Sequence, residues 1–239
     1  MARCALAGGR CGRLDRPCRS GQCIARTLRR LHVRRWRDKL GLFVAEGEDL
    51  VEAAAAAEVE PVELLGAGET VELELLAEVS TLAHPPRVIG VYRRDDLPRG
   101  IRRWTLALWC VADPGNVGTL VRTADAFGTA VALSHGCADL TSPKALRASM
   151  GAVFRVPTAP LEEAPAPWIA LVPRSGTPLP EVDLDESVTF VLGAEREGLP
   201  AEVLRRCKAQ ATIPQPGAAE SLNVAAAGAI ALYEASRRG

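Results

Sequence analysis

Apolar positions are most regular between residues 104 and 239, where short apolar runs alternate with segments of helical period. Apolar strands separated by helices are typical of a parallel sheet covered on both faces. We therefore predict an α/β fold with a C-terminal parallel-sheet domain. The predicted strands are 105–111, 130–134, 168–172, 189–192 and 211–213, and the predicted helices are 118–127, 142–150, 200–207 and 222–236.

Residues 25–96 show a second, shorter alternation and are predicted to form a small α/β domain. The pattern gives a single basic amphipathic helix over 24–38, helices over 48–58 and 71–79, and strands over 42–45, 61–65 and 87–92. The charged segment 97–103, with Pro98 and Gly100, reads as the linker between the domains. Residues 1–24 have no hydrophobic period and are predicted to be unstructured.

Charge is divided unevenly along a chain whose net charge is zero. Residues 1–40 carry twelve Arg and Lys against two Asp and Glu, and the remaining residues carry seventeen against twenty-seven. Such a basic region favours binding to a polyanion, with RNA as the leading candidate, although a solvated tail has the same composition. The candidate RNA-binding cations are Arg29, Arg30, Arg34, Arg35, Arg37, Lys144 and Arg147.

Two other classes of site are weighed and set aside. Cys4, Cys11, Cys18 and Cys23 lack the two close pairs usual in zinc sites, so no metal is predicted. Gly66 and Gly68 follow a predicted strand, but Val71 stands where a dinucleotide-binding loop needs its third glycine. No apolar run is long enough to cross a membrane and the start is Arg-rich, so we expect a cytoplasmic protein.

The first segment with candidate chemistry runs from Asp113 to Gly128, after an apolar strand. Asn116 is a candidate cap for the helix that follows, and Arg122 lies within its first two turns. The carboxyl end of such a strand is where open α/β sheets bind ligands. A surface charge on the helix is the alternative role for Arg122.

The second segment is Phe190-Val-Leu-Gly193-Ala-Glu195-Arg-Glu-Gly198-Leu-Pro200. Two glycines five residues apart permit close approach of a ligand to the backbone after a buried strand. Glu195 lies between them, where its carboxylate can orient another side chain or accept a hydrogen bond. A simple loop before the next helix is the alternative.

The third segment runs from Ile213 through Pro214 and Gly217 to Ser221 and Asn223. Two prolines and a glycine predict a rigid loop, and Ser221 is a natural cap for the helix that follows, with Asn223 in its first turn. No histidine is placed to make Ser221 part of a hydrolase triad.

Taken together and in this order, the three segments resemble the SpoU/TrmH branch of the SPOUT RNA methyltransferases. The resembling motifs are Asn116-x-Gly118-x-x-x-Arg122, Leu192-Gly-x-Glu195-x-x-Gly198-Leu199 and Ile213-Pro-x-x-Gly217-x-x-x-Ser221-Leu-Asn223-Val. The resemblance is strong over about 105–238. Over 28–53 it extends weakly to the ribosomal-protein-like RNA-binding domain of several members. Gln215 departs from the family, which usually has methionine at this position, at the edge of the adenine pocket.

The resemblance implies a deep trefoil knot over about 189–224, a homodimer with a shared site, and S-adenosylmethionine as cofactor. The implied catalytic set is Arg122, Asn116, Glu195, Ser221 and Asn223, with Arg122 acting on a ribose 2′-hydroxyl. The implied cofactor contacts are Leu192, Gly193, Gly198, Ile213, Gly217 and Leu222. The expected activity is 2′-O-methylation of RNA, with 23S rRNA favoured over tRNA, and a non-catalytic RNA-binding protein of the same fold is the alternative.

Overall fold

The computed structural model describes residues 21–218 and 220–238, and within them the chain forms two sheets. The N-terminal sheet has three antiparallel strands in the order β1-β3-β2. Four helices accompany it. The elements are α1 (Gly21–Leu31), α2 (Arg34–Leu40), β1 (Leu42–Glu46), α3 (Glu48–Ala56), β2 (Glu63–Gly66), α4 (Leu73–Val79) and β3 (Val88–Arg93).

The N-terminal helix differs from the prediction in two ways. It begins at Gly21, so residues 21–24 are helical, while the rest of the segment predicted to be unstructured lies outside the described residues. The single helix over 24–38 is wrong, because the chain breaks between α1 and α2. At the break, Val33 is extended and the His32 Nε2–H donates to the Val79 carbonyl oxygen, 2.7 Å away.

The antiparallel pairing of β2 also bears on whether Gly66 and Gly68 form a dinucleotide-binding loop. A dinucleotide-binding loop joins a parallel strand to a helix within a βαβ unit. Here β2 pairs antiparallel with β3, and Gly68 occupies a turn with φ +76°. The glycines therefore serve a turn, and β2 is not part of a βαβ unit.

The C-terminal sheet has seven strands, and every pairing in it is parallel. The strand order is β6-β5-β4-β9-β7-β10-β8. This confirms the predicted α/β fold with a parallel sheet. The elements are β4 (Trp104–Leu108), α5 (Pro114–Ala126), β5 (Ala130–Leu133), α6 (Pro143–Ser149), β6 (Thr158–Pro160), β7 (Trp168–Leu171), β8 (Thr177–Pro178), β9 (Val188–Leu192), α7 (Ala201–Leu204), β10 (Ala209–Thr212) and α8 (Val224–Ser236).

Helices cover both faces of this sheet, as the apolar strands require. Successive strand side chains point to opposite faces. Leu106 and Phe190 therefore pack with Leu120 of α5 and Leu232 of α8 on one face. Ala107 and Val191 pack with Trp168 and Val203 on the other. Strands β6 and β8 were not predicted, because they are short and each ends in a proline.

A shared apolar core joins the two units. Phe43 of β1 and Tyr92 of β3 pack against Phe154, which follows α6 in the C-terminal unit. The ring centroids of Tyr92 and Phe154 lie 5.2 Å apart in an edge-to-face arrangement, and those of Phe43 and Phe154 lie 6.0 Å apart. Burial, with a smaller effect from Glu60, raises the pKa of Tyr92 to about 12.

A buried ion-pair network reinforces this contact. Arg37 Nε donates to Asp139 Oδ2 at 2.8 Å, and both side chains are 3% exposed. Arg94 Nη2 and the Thr141 hydroxyl donate to the other oxygen of Asp139, at 3.0 and 2.7 Å. The predicted RNA-binding role of Arg37 is therefore wrong, because its guanidinium is buried in the protein.

The predicted linker is hydrogen-bonded to the C-terminal sheet. The Gly100 amide donates to the carbonyl oxygen of Thr158, and the Thr158 amide donates to that of Pro98. Together with the shared core, these bonds hold the two units against each other.

Two absences concern the described residues alone. None of their helices is long and apolar enough to span a membrane. Nor do residues 21–218 and 220–238 contain a cluster of side chains suited to a metal ion; Cys4, Cys11 and Cys18 lie outside that range.

Candidate functional site

The candidate site lies at the carboxyl edge of the seven-stranded sheet. Strands β4, β9, β7 and β10 are parallel neighbours, so the loops that follow them meet at the same edge. These loops and the helices after them carry the three segments singled out in the sequence. The fold therefore brings together residues more than a hundred positions apart.

Asp113 caps the start of α5. The sequence had predicted Asn116 in this role. The Asp113 carboxylate accepts from the Asn116 backbone N–H at 3.0 Å, and Pro114 occupies the first turn. Lys144 Nζ also donates to Asp113, at 2.6 Å. The bond from Lys144, followed by that from Asn116, holds the pKa of Asp113 below its usual value. The cap leaves the Asn116 side chain free for other partners.

The Asn116 side chain connects the three segments. Its Nδ2 donates to Glu195 Oε1 at 3.0 Å, and its Oδ1 accepts from Asn223 Nδ2 at 3.1 Å. One carboxamide thus joins the loop after β9 to the start of α8. We call Asn116, Glu195 and Asn223 the polar triplet.

Glu195 is ionised within this triplet. Partial burial acts to raise the pKa of its carboxyl group, but the hydrogen bond from Asn116 and nearby backbone N–H groups outweigh burial and lower it. A charged acceptor makes a stronger hydrogen bond than a neutral one. The carboxylate therefore fixes the orientation of the Asn116 amide.

Helix α8 begins two residues later than predicted, and this changes the roles predicted for Ser221 and Asn223. Asn223, and not Ser221, is its cap: Asn223 Oδ1 accepts from the Ala225 N–H at 2.8 Å. Ser221 is exposed in the preceding loop. Ser221 lines the same cleft as Asn223 without capping the helix.

Close backbone packing shapes the loop after β9. A Cβ on Gly193 would lie 2.3 Å from the carbonyl carbon of Gly198, which no side chain can occupy. Gly198 itself has φ +66°, a conformation that favours glycine. Both glycines are therefore required by the shape of this loop.

The loops enclose a cleft of about 950 Å³, including its open mouth. Of the predicted cofactor contacts, Leu192, Gly193, Gly198, Ile213 and Leu222 line it, and Gly217 is not among the described lining residues. The polar triplet contributes Glu195 and Asn223 at one side. The rest of the described wall is Leu171, Val172, Pro173, Ala194, Ala211, Gln215, Ser221, Val224 and Ala227.

Arg122 stands apart from this cleft. Arg122 lies six residues after Asn116, which places it about 9 Å further along α5 and about 120° around the helix axis from Asn116. Its side chain is exposed and makes no hydrogen bond or ion pair with any described residue. Asn116 and Arg122 both belong to the catalytic set that the resemblance implies, but within one chain their side chains point in different directions.

The other predicted RNA-binding cations have varied surroundings. Arg29 pairs with Glu78, Arg34 donates to the Cys137 carbonyl oxygen, Lys144 pairs with Asp113 and Arg147 donates to the Thr81 hydroxyl. Arg30 and Arg35 lie over the ring of Trp36, with Lys39 nearby, at 4.5, 5.3 and 5.2 Å from its centroid. Except for buried Arg37, all remain at least partly accessible.

Sequence reasoning missed three residues that shape these surfaces. Asp113 could have been found, because an aspartate directly before a proline is a frequent helix start. Trp36 lies in the segment predicted as a basic amphipathic helix, yet three cations surround its ring. Gln215 was noted only as a departure, and no sequence signal shows that its carboxamide lies in the cleft wall.

Comparison with known proteins agrees with this geometry. The family model described as SpoU rRNA Methylase family matches residues 103–233, which include all three segments. The chain belongs to the SpoU rRNA methylase family. The chain is similar to the 23S rRNA (guanosine(2553)-2′-O)-methyltransferase RlmP of Bacillus subtilis. The two sequences are 32% identical over 229 residues, and the match covers 86% of this chain and 92% of that protein.

Other proteins are similar to this chain over almost its full length. An uncharacterized tRNA/rRNA methyltransferase of Synechocystis is 33% identical over 90% of this chain and 91% of its own length. Among solved structures, the AdoMet-bound rRNA methyltransferase from Sinorhizobium meliloti superimposes with a TM-score of 0.80 and 30% identity, covering 90% of this chain and 94% of that one.

Proposed function

We propose that this SpoU-family chain transfers the methyl group of S-adenosylmethionine to a ribose 2′-hydroxyl of RNA, with 23S rRNA as the substrate. The observation that carries the proposal is the polar triplet at the side of the cleft, which unites the three family motifs. The Bacillus relative, a 23S rRNA 2′-O-methyltransferase, supports the reaction and the substrate, and the AdoMet-bound rRNA methyltransferase of Sinorhizobium supports the cofactor.

The cleft fits the cofactor. Its wall combines the backbone at Gly193, which packs closely against Gly198, with the apolar side chains Leu192, Ile213 and Leu222 for a flat base. Its polar side holds Glu195 and Asn223. When bound, S-adenosylmethionine supplies an electrophilic methyl group.

The protein must then align and activate a poor nucleophile. Positioning alone contributes about 7–11 kcal/mol in well-oriented reactions. The triplet positions the loops, and Arg122 orients the ribose hydroxyl and stabilises the negative charge that develops on its oxygen. Because a guanidinium remains protonated in proteins, Arg122 is not the base, and the hydroxyl proton passes to solvent as the oxygen–carbon bond forms.

A homodimer completes the site in this proposal. Arg122 lies away from the cleft of its own chain, so its exposed guanidinium is available to the cleft of a partner copy. Ile230 and Tyr233 are 38% and 56% exposed on α8, the helix that packs against α5. An exposed apolar pair on the neighbouring helix suits a shared interface.

The unit of residues 25–96 is proposed to bind the substrate RNA. Trp36 and its three cations present a face where stacking and charge act together, as in single-strand binding sites. We further propose that its fold is related to a ribosomal protein, that residues 97–103 link it to the methyltransferase domain of 104–239, that residues 189–224 form the trefoil knot, and that the reaction takes place in the cytoplasm.

Transfer of labelled methyl from S-adenosylmethionine to purified total RNA tests the proposal. We expect label in 23S rRNA, at one position resistant to alkaline cleavage, and none with Arg122→Ala. Binding of the cofactor to Arg122→Ala should stay intact. Label in tRNA would reassign the substrate. Cofactor binding without transfer to any RNA would favour the non-catalytic RNA-binding protein instead.

A further inference from the structure

The start of α6 carries an exposed cation beside the polar triplet. Lys144 Nζ donates to Asp113 Oδ2 at 2.6 Å, and the two side chains are 58% and 43% exposed. The other oxygen of the same carboxylate accepts from the Asn116 backbone N–H. One carboxylate therefore connects the ammonium group of Lys144 to the residue that joins the polar triplet.

Close packing between α5 and α6 fixes this arrangement. A Cβ on Gly118 of α5 would lie 2.4 Å from the carbonyl oxygen of Ala145, so the two helices meet where no side chain fits. Lys144 directly precedes Ala145, and its Cε lies 3.2 Å from the position of a Cβ on Gly115. The ammonium group is thus held over the first turn of α5. It has three N–H donors, and Asp113 is its one hydrogen-bond partner among the described residues.

The charges around this turn leave a polyanion one point of attraction. Asp113 and Glu195 are both ionised, because hydrogen bonds hold the pKa of each carboxyl group below its usual value. In RNA the ribose 2′-hydroxyl lies next to the 3′-phosphate, so a ribose that reacts here brings a negative charge toward two carboxylates. Like charges repel at this range. Among the described residues, Lys144 is the one cation that pairs with either carboxylate.

Charge on the N-terminal unit restricts the direction from which RNA can approach. Residues 46–86, which include α3, β2 and α4, carry eleven Asp and Glu and no Lys or Arg. Cations lie instead on α1 and α2, and Arg34 of α2 donates to the Cys137 carbonyl oxygen in the loop after β5. Because β5 is parallel to β4, that loop lies at the carboxyl edge of the sheet. RNA bound by α2 therefore lies at the edge that carries Lys144.

We propose that Lys144 is a substrate-binding residue whose ammonium group, held in place by Asp113, binds the RNA backbone phosphate next to the reacting ribose. This inference rests on the proposed function, since it takes the polar triplet as the place where RNA reacts. It assigns to the Lys144–Asp113 pair the part of substrate binding that depends on the phosphodiester and not on the base.

Methyl transfer to purified total RNA, measured over a range of RNA concentrations, tests the inference. The variants are Lys144→Met, which removes the charge, Lys144→Arg, which keeps it, and Lys208→Met as a matched control. Lys208 pairs with Asp185 at 2.7 Å, and these side chains are 48% and 43% exposed. Lys208 and Asp185 precede β10 and β9, so the control pair lies at the opposite edge of the sheet.

We expect Lys144→Met to raise the RNA concentration for half-maximal rate by about five- to tenfold at about 0.1 M salt, the loss of one phosphate contact. The increase should shrink as salt rises, because the slope of log affinity against log salt changes by about one. The maximal rate and the binding of S-adenosylhomocysteine should stay as in wild type. Lys144→Arg should match wild type, because a guanidinium also binds phosphate, and so should Lys208→Met.

A lower maximal rate or weaker binding of S-adenosylhomocysteine in Lys144→Met would show that Lys144 acts through Asp113 on the polar triplet, and would overturn the inference. Equal effects of Lys144→Met and Lys208→Met would also overturn it, since they would reflect overall charge. If wild type transfers no methyl group to RNA, the proposed function is wrong. Filter binding of total RNA then decides the inference: a five- to tenfold loss in Lys144→Met alone supports it at about 0.1 M salt, and equal affinity contradicts it.

Discussion

Two regions of the molecule treat their polar side chains in opposite ways. At the contact between the units, Arg37, Arg94 and Thr141 saturate Asp139, and the aromatic core beside them is closed. At the cleft, by contrast, Gln215 Oε1 has no hydrogen-bond partner among the described residues, and on α5 the guanidinium of Arg122 has none among them either.

The difference separates structural from functional arginines without reference to any relative. A buried charge has to be paired, because desolvation is costly, so Arg37 is committed to the fold. An exposed cation on a helix has no such requirement. When it also lies in a segment that positions a cleft, as Arg122 does on α5, its freedom indicates a role toward something outside the chain.

The substitution Arg122→Lys tests this difference most directly, because it keeps the positive charge and removes the planar guanidinium group. We expect Arg122→Lys to lower the single-turnover rate of methyl transfer by about 10²–10³-fold, since a lysine cannot present the same donors. The free energy of unfolding in urea should change by less than about 0.5 kcal/mol. A large loss of stability would place Arg122 in the same class as Arg37.

The corresponding change at the contact between units should have the opposite profile. Arg37→Met removes one partner of a buried pair, and we expect it to destabilise the protein by about 3 kcal/mol in urea titrations. The matched control is Arg35→Met, two residues away and exposed, which should cost less than about 0.5 kcal/mol. Similar values for the two variants would remove the distinction.

A smaller effect is expected from the glycines of the cleft. Gly193→Ala forces a Cβ against the backbone of Gly198, so we expect at least about tenfold weaker binding of S-adenosylhomocysteine by calorimetry. Gly217→Ala is the control, because its added Cβ meets nothing within 4 Å. Weaker binding by Gly217→Ala as well would bring that residue back among the cofactor contacts.

The smallest effect is a pH dependence of stability. Burial acts to raise the pKa of Asp139, but hydrogen bonds from Thr141 and the charges of Arg94 and Arg37 lower it below 3.8. As the pH falls, the Asp139 carboxylate is therefore protonated in the unfolded chain before it is protonated in the folded protein. The contribution of Asp139 is complete above that value and is lost as the pH falls through the folded-state pKa.

Urea titrations of wild type and Asp139→Asn from pH 6 to pH 3 measure this contribution. The difference in unfolding free energy between the two should be constant above pH 5 and shrink below about pH 4. A difference that stays constant over the whole range would mean that Asp139 does not titrate at this contact.

Sequence patterns gave the parallel sheet and its helices because both depend on local periodicity. The apolar run over β7 is continuous and those over β4 and β9 are interrupted only by one threonine each, and α5 and α8 carry apolar residues at helical spacing. By contrast, the short strand β8 has no apolar run to reveal it. The break at Val33 was missed because the apolar spacing continues across it.

The errors at the site have a common physical cause. Arg37 was assigned to RNA because its partner Asp139 lies 102 positions away, where no local pattern reaches. Ser221 and Asn116 were taken as caps, although Asn223 and Asp113 were equally suitable residues at neighbouring positions. Motif resemblance identified most of the residues that gather at the cleft, with Arg122 and Gly217 as exceptions, but the partner of each depends on tertiary structure.

The bond between Asn116 and Asn223 also has a consequence for synthesis. The two residues are 107 positions apart, and the later one begins the helix that packs on the earlier one's helix. A ribosome that has translated only the first two hundred residues has made neither β10 nor α8, and so no complete cleft. The capacity to act on RNA therefore appears only with the last residues of the domain, so that an interrupted translation product lacks the reaction.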